Sequence, residues 1–421
     1  MRFTSKILPS RKSNLGIIEL NNAPAFHALT LDMVHCMNDV WDEWTKTDQG
    51  LKAILIKSSS CKRPAFCAGG DVKAVWKDGM NTTTTNDNDS TGKQQQQHGY
   101  GIPGLLTSDF FRDEYTLNYK MATRKVPQIS LWDGIVMGGG TGISMHGKYR
   151  IATENTLFAM PETSIGFFCD VGSLWWMPRI ILGKGGIAPY IALTGARLRA
   201  SDLLYTGLAT HCVPSEKLNE LEIALAEATR SSSSSQENVV PPYNDVVAPV
   251  LEQFHVLPSS ITKEDDEGFL QQHESIIDET FSEAKSVEDI VSKLQSIMDN
   301  SSKSKNELLF CQTTLQTLLH QSSPMSLKVT FEGLQKSKYE SKSIEEELQM
   351  EYRISQHFMK NNQESSDFYR GIRSVLIEKK SQPVQWLPSK LEDVTDDMVQ
   401  SYFSTSLGEY EWKAPGNNSK L

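Results

Sequence analysis

The sequence predicts an α/β protein with a mainly helical C-terminal region. Three observations carry this. The chain opens strand–helix–strand, a βαβ-type start. Two glycine clusters, in "RPAFCAGGDV" (63–72) and "MGGGTG" (137–142), each follow a strand-like run. Beyond residue 250 the chain reads as a succession of helices.

Taken in order, "NLGIIEL" (14–20) reads as a strand and "NNAPAFHA" as a loop. A helix follows, with Thr30 as N-cap, Val34, Met37, Trp41 and Trp44 at helical spacing, and Gly50 at its end. "LKAILIKSS" (51–59) is a second strand. Residues 78–103 are polar and of low complexity, which predicts a mobile surface loop. "GLLTSDFFRDEYTLNYKMATR" resumes a helix, with Leu106, Phe110, Glu114, Leu117 and Met121 near one face. A carboxylate at Glu114 is out of place on that apolar face. "PQISLWDGIVMGGGTGISMHG" predicts one buried strand, a glycine turn and a short helix, and "YRIATENTLFAM" one more strand. "TGARLRASDLLYTGLATHCVP" reads as turn, helix, short strand. A serine- and proline-rich stretch near 215–250 reads as a linker or loop, dividing the chain into parts 1–215 and 216–421.

The 421 residues are enough for two domains, and the net charge is −10 with a pI near 5.5. That charge argues against nucleic acid as the main partner, since phosphate binding needs a basic face. The six cysteines are scattered with no C-x-x-C pair, so they read as free thiols in a reducing compartment, and no metal-ligand spacing is seen. No apolar run reaches the roughly 18 residues of a membrane-spanning helix, so no membrane partner is expected. The basic, acid-free start "MRFTSKILPSRKSN" has the composition of an organelle-targeting remnant, at a length too short to assign.

The stretch "MPETSIGFFCDVG" (160–172) holds the chemistry. Glu162 and Asp170 lie among Ile165, Phe167 and Phe168, with no Lys or Arg. Desolvation should raise the pKa of both, as catalytic acids and bases often require. The two glycine clusters add backbone N–H groups facing a cavity, each able to serve a developing oxyanion. Taken singly, each cluster is most simply a tight turn, and the acid pair a salt-bridged loop. Together they describe a polarised carbonyl beside a carboxylate, which is acyl chemistry. No G-x-G-x-x-G, Walker A or G-x-S-x-G pattern is present, so dinucleotide, P-loop and serine α/β-hydrolase chemistry are unsupported. His27 and His146 read as structural, and Trp175 and Trp176 as core.

"AFCAGGDV", "MGGGTGIS" and "FAMPETSIGFFCDVG" together resemble the motifs of the crotonase (enoyl-CoA hydratase/isomerase) superfamily. "SSPMSLKVT", "EEELQMEYRISQHFM" and "DFYRGIRSVLIEKKSQPVQW" are similar to its branch that hydrolyses 3-hydroxyisobutyryl-CoA in valine breakdown. The resemblance covers most of the chain outside the polar insertions. It implies a spiral of ββα units in 1–215, carrying the acyl-CoA site, and a helical region in 216–421. It implies a coenzyme A thioester as substrate, with no cofactor and no metal beyond it. By match to the motifs, the N–H groups of Gly70 and Gly139 form the oxyanion hole and Glu162 is the catalytic glutamate. Asp170 matches the second acid, and Glu114 an acid lining the substrate site. Arg63 and Lys73 flank the first motif and are candidates for the coenzyme A phosphates.

The departures from the family pattern are informative. Gly142 stands where hydratases carry a second catalytic glutamate, which disfavours water addition to an enoyl double bond. Cys169 replaces the usual proline before the second acid, which should loosen Asp170. His27 replaces an asparagine, and Arg370 an acid. Two rivals follow: an enoyl-CoA hydratase or isomerase, and a non-catalytic structural subunit of a larger assembly such as a mitochondrial ribosome. Retention of Glu162, Asp170 and both glycine turns argues against the second. Crotonases often form trimers and hexamers, so a homo-oligomer is an expectation, although the extra helices could cover the trimer face. The final Ser419-Lys420-Leu421 matches the peroxisomal address read by an import receptor. It makes the peroxisome the expected compartment, with the mitochondrion, typical of the branch, as the alternative.

Overall fold

The computed structural model describes residues 4–46, 50–81, 104–230, 244–261, 268–360, 366–379, 382–404 and 406–416. Most of the expected polar loop at 78–103, part of the serine-rich stretch and the Ser-Lys-Leu tail lie outside these residues.

The chain begins β1 (Ile7–Lys12), β2 (Leu15–Leu20), α1 (Leu31–Lys46), β3 (Ala53–Ser58), β4 (Ala65–Cys67), α2 (Val72–Asn81) and α3 (Leu106–Thr123). It continues β5 (Gln128–Trp132), β6 (Ile135–Met137), α4 (Gly139–Met145), β7 (Tyr149–Ala152) and β8 (Leu157–Ala159). Then come α5 (Ser173–Ile180), α6 (Ile187–Thr194), α7 (Ala200–Thr206) and β9 (His211–Cys212). The helices that follow are α8 (Leu218–Arg230), α9 (Asn244–Phe254), α10 (Phe269–Gln272), α11 (Glu274–Ile277), α12 (Val287–Met298) and α13 (Lys305–Gln316). The last are α14 (Pro324–Tyr339), α15 (Ile344–Met359), α16 (Asp367–Gly371) and α17 (Asp396–Ser404).

The strands form two sheets, ordered β1-β2-β3-β5-β7-β9 and β4-β6-β8. All pairings are parallel except β1 with β2. After the β1–β2 hairpin, the pairs β3–β4, β5–β6 and β7–β8 each give the first strand to the large sheet and the second to the small one before the chain turns into a helix. This is the spiral that the resemblance implied. The large sheet is buried on both faces, as parallel sheets are. Ile54 and Ile56 point into the main core, while Ala53 and Leu55 face a second cluster with Leu221, Leu225, Val247 and Leu251 of α8 and α9.

Four sequence expectations need correction. "PQISLWDGIVM" and "YRIATENTLFA" each make two strands, in different sheets, because Asp133-Gly134 and the 153–156 turn redirect the chain. A continuous apolar run does not show that break. The basic start contributes β1, an edge strand that tolerates Pro9 and pairs it with Ile18. Helix α2 extends through residues 78–81, anchored where the Leu106 N–H donates to Asp78 at 3.0 Å and Gly79 packs under Tyr369. The 215–250 stretch holds α8 and most of α9 rather than an uninterrupted linker.

The C-terminal helices pack into the same core as the sheets. One apolar cluster contains Leu174 and Tyr190 together with Leu327, Tyr352 and Phe368. A fragment ending at residue 215 therefore leaves large faces of α3, α5 and α6 bare. We expect it to show no cooperative urea unfolding, whereas a sharp transition in the fragment would show that it folds independently.

Candidate active site

The two glycine bends meet. A Cβ built on Gly69 would lie 3.9 Å from the Gly139 nitrogen, and one built on Gly139 would lie 3.1 Å from the Gly70 nitrogen. The parallel bridge between Leu29 and Gly70 uses the Gly69 carbonyl and the Asp71 N–H, leaving the Gly70 N–H outside it. Gly139 begins α4, so its N–H has no intrahelical acceptor. Side chains are excluded at both positions: a Cβ at Gly70 would meet the Phe110 ring at 2.8 Å, and one at Gly139 would strike the Glu114 carboxylate.

The acids close around these donors. Glu162 begins a short 3-10 turn after β8 and Pro161, and its Oε1 lies 3.0 Å from a Cβ built on Gly138. The C-terminal region fixes that turn. The Ser323 N–H donates to the Thr163 carbonyl at 2.9 Å, and Gly166 and Gly371 allow α16 to pack directly on it. Glu114 reaches in from α3, and Asp170 from the loop before α5; all three acids are at most 5% exposed. The structure thus brings together Gly70, Gly139, Glu114, Glu162 and Asp170. Arg63 and Lys73 are exposed, at opposite ends of the first glycine motif.

Burial first, then the Asp170 charge, pushes the Glu162 carboxyl up to about 8. Burial raises Asp170 to about 7, against the Tyr115 hydroxyl, which donates to its Oδ2 at 2.8 Å. Burial and the two neighbouring carboxylates raise Glu114 as well, and its Oε1 has no hydrogen-bond partner. The cluster therefore holds protons near neutral pH, as the sequence led us to expect.

Three contacts were not foreseen. Tyr115 holds Asp170, although the only sequence signal was its place beside Glu114. Cys169, fully buried, sets its Sγ 3.6 Å from Glu162 Oε2 and 3.3 Å from the Ala192 carbonyl. Burial keeps it a thiol. With Tyr115 in place, Asp170 stays anchored without the usual proline. Gly142 is also crowded: a Cβ there would come within 2.7 Å of Val171 Cβ and 3.0 Å of Asn118 Nδ2. His27 is structural as read, its Nδ1 accepting the Asn22 N–H at 3.1 Å.

A family model described as enoyl-CoA hydratase/isomerase matches residues 15–403. A mitochondrial 3-hydroxyisobutyryl-CoA hydrolase of Xenopus tropicalis is 41% identical over 94% of this chain and 88% of that protein. A probable 3-hydroxyisobutyryl-CoA hydrolase of Arabidopsis thaliana is 36% identical over 99% of this chain and 97% of its own length. Among solved structures, a carnitinyl-CoA dehydratase from Mycobacterium thermoresistibile superposes with a TM-score of 0.74 at 28% identity, covering 98% of this chain and all of that one.

Two outcomes follow from this geometry. Glu162 ionises near 4.5 in an unfolded chain and about 8 here, so the folded state binds its proton more tightly. Its burial costs nothing below pH 4.5, grows as pH rises, and is complete above pH 8. Glu162→Gln should therefore raise the Tm more at pH 8 than at pH 5; an equal change at both would contradict the shift. Gly142→Glu should destabilise the fold by about 2 kcal/mol or more in urea titrations, because the site is already filled.

Proposed function

The chain belongs to the enoyl-CoA hydratase/isomerase family, and from that premise we propose that it is an acyl-CoA thioester hydrolase. Its substrate is 3-hydroxyisobutyryl-CoA, released as 3-hydroxyisobutyrate and coenzyme A in valine breakdown. The observation that carries this reading is the meeting of the two glycine bends beside the buried Glu162 carboxyl. Relatives bearing the hydrolase name over nearly the whole chain support it.

The thioester oxygen lies between the N–H groups of Gly70 and Gly139. Charge that builds on it during attack is met by donors already in place, each worth about 10²–10³ in rate. Glu162 in its carboxylate form takes a proton from the attacking water or adds to the carbonyl itself, giving an anhydride that water opens. In both cases the sulfur leaves as the coenzyme A thiol and one water is consumed. Water added directly to the acyl carbon leaves its oxygen in the acid product, whereas water opening the anhydride at the Glu162 carbonyl leaves its oxygen in Glu162 and the product takes a Glu162 oxygen. Asp170 and Glu114 receive the 3-hydroxyl of the acyl group. An acyl chain lacking that hydroxyl leaves buried acceptors unpaired and is rejected. Arg63 and Lys73 meet the coenzyme A phosphates at the pocket mouth.

Against the hydratase reading stands the crowding over Gly142 by Val171 and Asn118, which leaves no space for a second glutamate. For the compartment, the relatives' names favour the mitochondrion over the peroxisome. An N-terminal fluorescent fusion with and without Leu421 tests the peroxisomal alternative.

Thiol release from 3-hydroxyisobutyryl-CoA should exceed that from isobutyryl-CoA, and Glu162→Gln should lower kcat by about 10³-fold or more. The wild-type rate should rise with pH through about 8, where Glu162 ionises. Loss of enoyl absorbance without thiol release would overturn the assignment. In a single turnover in oxygen-18 water, label in Glu162 marks an anhydride opened at the Glu162 carbonyl, and label in the acid product alone marks water adding to the acyl carbon.

A further inference from the structure

Asp170 is followed by a residue that its backbone should resist. Val171 has φ +57°, in the left-handed region that a β-branched residue rarely enters, and Gly172 follows at φ +77°. Such a conformation persists only where the surroundings over-determine it, and such places cluster at functional sites.

Here two side chains from different parts of the chain grip the two residues. The Nε2–H of His146, just after α4, donates to the Val171 carbonyl at 3.0 Å, and the ring lies against Gly172, where a Cβ would come within 2.6 Å of Cε1. Burial pushes the imidazole down to about 4, so it remains neutral. From α15, Glu351 Oε2 accepts the Gly172 N–H at 2.7 Å. Glu351 is wholly buried, although a carboxylate on a core-facing helix position has no packing reason to be there. The Val171 side chain is thereby pressed over Gly142.

We propose that Glu351 and His146 are positioning residues that clamp Val171–Gly172 and so aim the Asp170 carboxylate at the substrate's 3-hydroxyl. The inference rests on the hydrolase reading above. Tyr115 sets the Asp170 side chain, while the clamp sets its backbone. Neither Glu351 nor His146 touches the reacting carbonyl. Their loss therefore affects recognition of the hydroxyl more than the chemistry at the thioester.

The test is thiol release by full-length enzyme from 3-hydroxyisobutyryl-CoA and isobutyryl-CoA, with thermal unfolding in parallel. Glu351→Leu removes the acceptor, and kcat/KM for the hydroxylated thioester should fall about 10²-fold while that for isobutyryl-CoA changes less than about threefold. Glu351→Gln keeps a carbonyl acceptor for the Gly172 N–H and should stay within about threefold of wild type on both substrates. If Glu351→Leu does not fold, His146→Phe carries the same expectation. Parallel loss on both thioesters, or a folded Glu351→Leu that keeps wild-type discrimination, overturns the clamp. Wild-type enzyme that releases thiol with no preference for the hydroxylated thioester overturns the 3-hydroxyl recognition and the clamp with it, and wild-type enzyme that releases no thiol from either overturns the hydrolase reading.

Discussion

The close approach of two backbone bends governs this molecule. Gly70 and Gly139 follow β4 and β6, strands of the same small sheet, and the two backbones come this close because neither residue carries a side chain. A Cβ at either position collides with Phe110 or Glu114 and forces the bends apart. The ββα spiral is what delivers two strand ends, separate in sequence, to adjacent places in space. The active chemistry thus begins as a packing requirement on main chain.

Three buried carboxylates next to those amides weaken the fold, since burial makes each resist losing its proton and the Asp170 charge raises the other two further. The C-terminal helices supply the enclosure that makes this tolerable. They cover both the outer face of the large sheet and the turn that carries Glu162, through the Ser323–Thr163 bond and the contact of α16 at Gly166. Shielding from water also suits the oxyanion-binding role proposed for the two amides, because local electrostatics strengthen as solvent is removed. The same burial weakens the fold and strengthens the proposed chemistry.

Much of this was legible in the sequence, for identifiable reasons. Glycines after strands and acids in apolar company are local violations of ordinary patterning, so the two glycine clusters, Glu162 and Asp170 stood out, the resemblance picked Gly70 and Gly139 from the clusters, and Glu114 broke an apolar helical face. The split of "PQISLWDGIVM" into strands of two sheets was not legible, because the run stays apolar through the turn at Gly134. Edge strand β1 was hidden by its basic, weakly apolar sequence. Tyr115 and Glu351 gave no signal of their own and His146 read only as structural, because their contacts are with partners 55, 179 and 25 positions away. Helical periodicity marks a face, and it does not say which polar atom that face meets.

Substitution at a few positions separates the chemistries this fold can host. With Gly142 bare and Val171 lying over it, position 142 offers no acid, and Glu114 and Asp170 are the buried carboxylates beside Glu162 to which the proposed function assigns the 3-hydroxyl. The convergence of the two amides on a thioester carbonyl is the claim beneath all of this. It is read most directly by infrared difference spectroscopy of Glu162→Gln holding a substrate labelled with carbon-13 at the carbonyl. If both N–H groups polarise that bond, its stretching band shifts to lower frequency on binding, and replacing Gly139 by Ala makes the shift smaller. A band that stays at its solution frequency contradicts the convergence.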